Sequence, residues 1–332
     1  MKKPKISIII INYNKKDYLK NCIESVIKNT DYPNYEIVVV DNHSIDGSIE
    51  FVKKTFPSVK LIENEKNYAF GGGSNIGVRK TEGKYFVLLD NDTLVQPYWL
   101  SRIVETAEND EKIAIVASVV ILKSWYDLCK KNDPWLNNEK IAENIMDNFY
   151  KRHKSLKRVE EFSHVAITAC LLRRDVFERV GFFSDYMFLF WEDTELCWRT
   201  VLSGYKVVYD FDSLVYHYVG TTRKKNPIWI YERIKNKIYT YIKLLDWQHA
   251  ILYITIALLK NFGGIIKDKK TAKPRIKAII KIVMDIKKIL KERRDFEKIK
   301  TVDIKKLIGL MKKTYKFEKI NAFHEKDLPR NM

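Results

Sequence analysis

From Lys5 to about Asp92 apolar runs alternate with amphipathic segments, the pattern of βαβ units wound around a mostly parallel sheet. Ile6 to Ile11, Glu36 to Val40 and Tyr85 to Leu89 are rich in Ile, Val or Leu and each ends in a polar cluster, which predicts three buried strands. Between the first two, Tyr18, Leu19, Cys22, Ile23, Val26 and Ile27 recur at helical spacing and predict the first crossover helix. Ile49, Val52 and Phe56 continue in the same way after the polar turn Asp41 to Ser48, and Val59 to Ile62 reads as a short strand. Asn67 to Gly77 then reads as a glycine-rich loop that permits close approach of a bulky or charged group, with a helix beginning near Asn75. Further on, Ile113 to Leu122 and Ala166 to Leu172 are expected strands and Arg174 to Val180 an expected helix. Trp125 to Leu156 is charged and aromatic and looks like a variable insertion facing an acceptor. Beyond Arg223 the pattern is helical and lysine-rich.

Composition adds two bounds. With 332 residues, 46% of them hydrophobic and 13% aromatic, the chain can bury a sizeable core. Cys22, Cys129, Cys170 and Cys197 are widely separated with no C-x-x-C pair, which argues against a zinc site or disulfide framework and fits a reducing, cytoplasmic setting. The start of the chain is lysine-bearing, but its apolar stretch is short and without a small-residue cleavage site, so it is expected to be a strand rather than a leader.

Charge changes the picture more. The net charge is +18, and Arg223 to Met332 holds 30 basic against 11 acidic residues, leaving the preceding part near neutral. Two regions follow: residues 1–222 as the catalytic candidate and residues 223–332 as a basic amphipathic helical extension. A cationic region of this kind seeks an anionic partner, a membrane surface or a nucleic acid. No uninterrupted apolar run reaches the ~18 residues a bilayer span requires. The nearest, Ala250 to Leu259, stops at Lys260. Ile228 to Leu245 and Ile276 to Leu290 mix apolar residues with lysines and suggest a peripheral anchor, with packing onto the catalytic part as the equal alternative.

Polar clusters at successive strand ends point at one crevice beyond the carboxyl edge of the sheet. Asp90-Asn91-Asp92 follows the apolar strand Tyr85 to Leu89, and two carboxylates there can hold Mg²⁺ or Mn²⁺ against a diphosphate. A solvated acidic turn is the plainer reading of an isolated Asp-x-Asp. Asp41 ends its strand where a carboxylate can accept the imide N–H of uracil or thymine; opening the next helix is the commoner role for such an Asp, but Asp46-Gly47-Ser48 offers better capping residues. Asn67, Gly72 and Asn75 in the glycine-rich stretch, and Asn91 between the aspartates, join the ligand-binding candidates. Glu192, Asp193 and Glu195 open a helix whose dipole should keep Asp193 ionised and able to accept a proton. His217, at the end of the strand Ser213 to Tyr216 and before Gly220 to Arg223, is a candidate to complete the metal shell. Arg199 is a candidate phosphate partner.

In order along the chain, Ser7 to Asn14, Val38 to Asn42, Asn67 to Gly77, Asp90-Asn91-Asp92, Glu192-Asp193 with Arg199 and Gly204, and His217 resemble the motifs of family 2 glycosyltransferases of the GT-A fold, with rhamnosyltransferase-like members the nearest in character. The resemblance covers roughly the first two-thirds of the chain. It implies that Asn12, Tyr13, Asn14 and Asp41 hold the nucleotide, that Asp90 lies by the ribose, that Asp92 binds the metal and that Asp193 is the catalytic base. Glu195 departs from it, standing where many relatives have Asp.

The expected activity is therefore inverting transfer of a sugar from a UDP- or dTDP-linked donor to a hydroxyl of a glycan or lipid-linked glycan, in the cytoplasm or on the inner face of the cell membrane. Two other classes compete. A sugar-nucleotide nucleotidyltransferase should carry glycine and a basic residue right after the first strand, where this chain has Asn12-Tyr13-Asn14-Lys15-Lys16. A non-enzymatic nucleic-acid binder is suggested by the basic region, but its charge is spread over amphipathic helices rather than gathered in a reading motif, and no nucleic-acid partner is expected. The sequence carries no signal of oligomeric state.

Overall fold

The computed structural model describes residues 3–123, 157–218 and 226–320. The proposed insertion Trp125 to Leu156 and the segment Gly220 to Arg223 lie outside the described residues. Among these residues a single nine-stranded sheet forms from β1 (Ile6–Asn12), β2 (Tyr35–Asp41), β3 (Lys60–Glu63), β4 (Tyr85–Asp90), β5 (Thr93–Val95), β6 (Ile113–Lys123), β7 (Val159–Glu161), β8 (Ala169–Arg173) and β9 (Lys206–Tyr218). Its order is β3-β2-β1-β4-β8-β6-β9-β5, with β7 paired to β9. β3, β2, β1 and β4 run parallel, and β8 enters antiparallel to both β4 and β6. This is the mixed α/β sheet of a GT-A fold.

Parallel neighbours need crossovers, and these supply α1 (Lys16–Asn29), α2 (Ser48–Thr55) and α3 (Ala69–Arg79). Then follow α4 (Trp99–Glu108), α5 (Arg174–Val180) and α6 (Glu192–Leu202), and after them α7 (Pro227–Leu244), α8 (Trp247–Lys267), α9 (Ala272–Glu297) and α10 (Ile304–Ile320). Side chains alternate across the strands, so the sheet has two cores. Ile8, Ile10 and Val39 face Leu19, Cys22 and Val26 of α1 and Trp99 and Ile103 of α4. Ile9, Ile11, Val38 and Val40 face the other layer, which holds Val78, Leu196, Val201, Tyr241 and Leu244.

Several expectations are revised. The glycines at 71–73 lie inside α3, which begins at Ala69 rather than near Asn75, because Asn67 Oδ1 accepts the Ala69 amide at 2.7 Å and starts the helix early. Glycine here serves packing: a Cβ at Gly77 would stand 2.7 Å from Ile9 and 2.9 Å from Val40, so α3 presses directly on the sheet. α4 was not expected, although Trp99, Leu100, Ile103, Val104 and Ala107 form its buried face.

The division at 222/223 does not separate two cores, since Tyr241, Leu244 and Leu245 of the C-terminal region sit in the same cluster as Ile9 and Val38. Ile228 to Leu245, one of the two suggested anchors, is accordingly packed against the catalytic layer. Finally, the apolar run halted by Lys260 in the sequence belongs to the 21-residue helix α8, long and apolar enough by composition to cross a membrane.

Candidate active site

Strand register alone places the first residues of the site. Asn12 pairs with Asp41 and Ile11 with Asp90, so β1, β2 and β4 end level and present their polar termini on one edge. β9 runs antiparallel to β5 with His217 opposite Thr93, and the Tyr218 amide donates to Asp92 O at 2.9 Å. His217, from the far end of the chain, thereby meets the Asp90–Asp92 turn. One ligand atom from each of Asp90, Asp92 and His217 can be chosen so that all lie within 4.8 Å of one another. His217 Nε2 is 3.0 Å from Asp92 Oδ1 and 3.7 Å from Asp90 Oδ2.

The electrostatics are those of crowded acids. Burial, with the Asp92 charge, raises Asp90 to about 6 against the pull of His217, Thr168 and Lys15. Burial would also raise Asp92, but His217 and Lys15 hold it below its ordinary value. His217 is raised, because the hydrogen bond to Asp92 and the charges of both aspartates outweigh its burial. Lys15 Nζ reaches Asp92 Oδ2 at 2.8 Å. A cation is already compensating this cluster, and two carboxylates with an imidazole form a donor set suited to a divalent metal.

Asp41 takes the turn role weighed for it, at the strand edge where the nucleotide was expected. Its Oδ1 accepts the Ser44 amide at 2.7 Å, an Asx-type turn, while Oδ2 accepts Ser44 Oγ and Asn12 Nδ2, each at 2.7 Å. Asp46 caps as expected, accepting the amides of Ser48 and Lys16. The asparagines are placed differently from expectation. Asn12 is fully buried, with Nδ2 on Asp41 and Ser44 and Oδ1 accepting from Asn91, so its amide orients Asp41 instead of meeting a ligand. Asn91 also donates to Asn14 O, and Asn14 Oδ1 accepts the Ile45 amide; both tie neighbouring turns together. Tyr13 stands 48% exposed in the turn after β1. Asn67 caps α3, and Gly72 leaves room for Tyr68.

Asn75 and Arg199 are corrected outright. The Asn75 amide is buried and bonded in both directions to Phe183, at 2.9 and 3.1 Å, pinning a loop. Arg199 is buried and its guanidinium donates to Glu195, Val180 O, Gly181 O and Phe182 O, which leaves it nothing for a phosphate. Glu195 is the hub of that arrangement, pairing with Arg199 at 2.9 Å and Lys243 at 2.9 Å.

Asp193 lies at the N-terminus of α6, and burial raises its carboxyl above the ordinary aspartate value, against the charge of His164 and the Thr194 amide. The helix dipole alone had suggested a comfortably ionised group; burial outweighs it. Glu192 goes further, to about 8, through burial and then the charges of Asp193, Asp90 and Glu232. The Asp90 charge thus acts on Glu192 at the start of α6. Among the described residues Glu192 Oε2 is buried without a hydrogen-bond partner.

The backbone around the site is held in unusual conformations. Of seven non-glycine residues with positive φ among the described residues, six (Asn14, Lys15, His43, Ala69, Phe190 and Trp191) lie in the turns after β1 and β2 or at the starts of α3 and α6. Such residues persist only where their surroundings enforce them. At Phe190 and Trp191 the enforcement comes from α7: buried Asn236 Nδ2 donates to Leu189 O at 2.8 Å and Phe190 O at 2.9 Å, and Lys235 donates to Tyr186 O. Lys15, Ser44, His164 and Asn236 had no signal in the sequence, because single residues in turns or on a helix face carry no spacing.

A model of the family described as glycosyl transferase family 2 matches residues 7–181. An uncharacterised glycosyltransferase of Methanocaldococcus jannaschii is 25% identical over 302 residues, 82% of this chain and 96% of the relative. One of Haemophilus influenzae is 32% identical over 146 residues, 40% of this chain, and the match spans 44% of its length. The O-antigen biosynthesis protein RfbC of Myxococcus xanthus is 24% identical over 68% of this chain but only 18% of its own. Among solved structures, GalNAc-T7 with UDP, GalNAc and Mn²⁺ shares the fold at a TM-score of 0.59, with 17% identity, 85% of this chain and 57% of that one. The mannosyltransferase PcManGT of Pyrobaculum calidifontis with GDP-Man and Mn²⁺ does so at 0.55, with 15% identity, 98% of this chain and 82% of that one.

Proposed function

This chain belongs to glycosyl transferase family 2, and from that premise we propose that it is an inverting, metal-dependent transferase moving a sugar from UDP or dTDP to a hydroxyl of a glycan or lipid-linked glycan. The observation that carries this reading is the meeting of Asp90, Asp92 and His217 at the sheet edge that also bears Asp41. Their two carboxylates and one imidazole would hold Mn²⁺ or Mg²⁺, and the ion would supply positive charge against the donor diphosphate. The solved structures with UDP and Mn²⁺ or GDP-Man and Mn²⁺ support a nucleotide-sugar donor. Asp41, already oriented by Asn12 and Ser44, supports a pyrimidine base with an imide N–H.

The remaining chemistry belongs to the chain's own side chains. The Asp193 carboxylate takes the proton of the acceptor hydroxyl as that oxygen bonds to the anomeric carbon and the bond to the diphosphate oxygen breaks on the opposite face. Its raised proton affinity makes it a better acceptor than a surface aspartate. Such a base contributes about 10²- to 10⁴-fold. Lys15 balances the charge of Asp92, and the buried, free cysteines Cys22, Cys170 and Cys197 suit a reducing compartment.

The test is Asp193→Asn assayed with a panel of nucleotide sugars and Mn²⁺. Turnover should fall by at least about 10²-fold while the donor-induced rise in melting temperature is kept. Near-normal turnover in that variant removes Asp193 as the base, and the lack of any thermal shift with UDP- or dTDP-sugars in the wild type removes the donor assignment.

A further inference from the structure

The helices beyond the catalytic layer leave a large apolar surface uncovered. Only 11% of the apolar window of α8 is buried. Leu259, Phe262 and Ile266 of α8 and Val283 and Met284 of α9 are between 63% and 72% exposed. Isolated exposed leucines are ordinary, but contiguous stripes on two packed helices are not. The opposite side of α8 rests on α7 and α9, burying Ala250 and Asn261. Tyr253 lies on Tyr241 of α7 with ring centroids 5.5 Å apart, and Asn261 Oδ1 accepts from Arg275 Nη1 of α9 at 3.0 Å. The Arg275 guanidinium of α9 also lies over Gly264, 2.6 Å from where a Cβ would stand. α8 is therefore held on the protein with its apolar side turned outward.

Charge decides what can cover this surface. From Trp247 to Lys291 there are eleven basic residues and two acidic ones. One of the acids, Asp285, is engaged by Lys281 and Tyr239. A second copy of the chain would bring two strongly positive surfaces together, which costs energy at any physiological salt. An anionic lipid leaflet instead offers hydrocarbon for the exposed stripes and negative headgroups for the lysines beside them.

We propose that α8 and α9 form a docking surface for an anionic membrane, with α8 lying in the interface plane and its outward residues entering the acyl boundary. The seat of α8 on α7 and α9 favours this in-plane arrangement over a span, for which the helix would have to leave its partners. Docking orients the molecule relative to the bilayer and confines its search for acceptors to the surface, whichever sugar is transferred. The inference does not rest on the assignment of donor or base.

The experiment is flotation of the full chain with vesicles of phosphatidylcholine alone and with vesicles of equal parts phosphatidylcholine and phosphatidylglycerol. Wild type should float with the anionic vesicles at least tenfold more than with the neutral ones, and high salt should weaken that binding. L259E/F262E/I266E should lose it by at least tenfold, while K273Q/K277Q/K287Q should lose the preference for anionic lipid. Unchanged circular dichroism and an unchanged donor-induced thermal shift establish that both variants are folded. Equal flotation with both lipids, no flotation at all, or flotation retained in the triple glutamate variant overturns the proposal. So does a wild-type dimer in sedimentation that the glutamates convert to monomer without any vesicle binding, which would assign the surface to a second copy.

Discussion

Replacing Glu195 by Gln tests the framework behind the proposed base more sharply than any change in the site itself. Glu195 is fully buried, and the charges of Arg199 and Lys243 bring it from the ordinary 4.5 down to about 2 despite that burial. A depressed carboxylate stabilises the fold above its unfolded value and loses that contribution as pH falls toward its folded one. The shift of about 2.5 pH units corresponds to about 3 kcal/mol at pH 7, an order-of-magnitude figure. The variant leaves buried Arg199 without a carboxylate and Lys243 with Glu292 alone, and breaking such a pair costs about 3 to 5 kcal/mol. The two routes agree, so urea unfolding at pH 7 should show a loss of about 3 kcal/mol. Protonated glutamate resembles glutamine, so the difference between wild type and variant should shrink between pH 4.5 and about 2 and nearly vanish at the lower end. A difference that stays constant across that window would refute the reasoning, because the stability would then owe nothing to the charge on Glu195.

Other outcomes follow from single features. Glu192, raised to about 8, is protonated at pH 7. Glu192→Gln should keep transfer within about threefold of wild type there, and a collapse of activity in a folded variant would make Glu192 the base in place of Asp193. Asp92→Asn should abolish the Mn²⁺-dependent part of both the thermal shift and the turnover, measured by titrating Mn²⁺ into donor-bound protein; an unchanged Mn²⁺ response would move the metal elsewhere. Gly77→Ala gains about 1 kcal/mol of helix propensity but places a methyl 2.7 Å from Ile9. Overpacking costs about 1 to 3 kcal/mol, so chemical denaturation should show a net loss, and a stabilised variant would show that α3 can move off the sheet.

The first half of the fold was readable because buried parallel strands announce themselves as unbroken Ile and Val runs, and level strand ends then bring Asp41 and Asp90 to one edge. The Asp92–His217 pairing could be guessed only as chemistry, since it depends on β9 returning antiparallel beside β5. Misreadings arose where one residue type serves two ends. Glycines that suit a phosphate loop also let a helix touch a sheet, and an arginine that suits a phosphate also suits Glu195 and three carbonyls. Asn12 and Asn75 were read as ligand contacts for the same reason, but a buried amide is first claimed by its neighbours. The charge step near residue 223 marks a change in surface chemistry within one core, since Tyr241 and Leu244 share the cluster of Ile9 and Val38.

Asn236 sits beyond that charge step, yet it grips the carbonyls of Leu189 and Phe190 just ahead of the acidic helix start. Cutting the chain anywhere in 219–225 would therefore divide a clamp from the turn it closes. The amino-terminal piece would expose the apolar seat of α7 and let Asp193 drift, while the carboxyl-terminal piece would carry Lys243 away from Glu195. Such halves would regain function by reassociating rather than by folding apart, and any transplant of the Leu189–Phe190 turn should carry the clamp helix along with it.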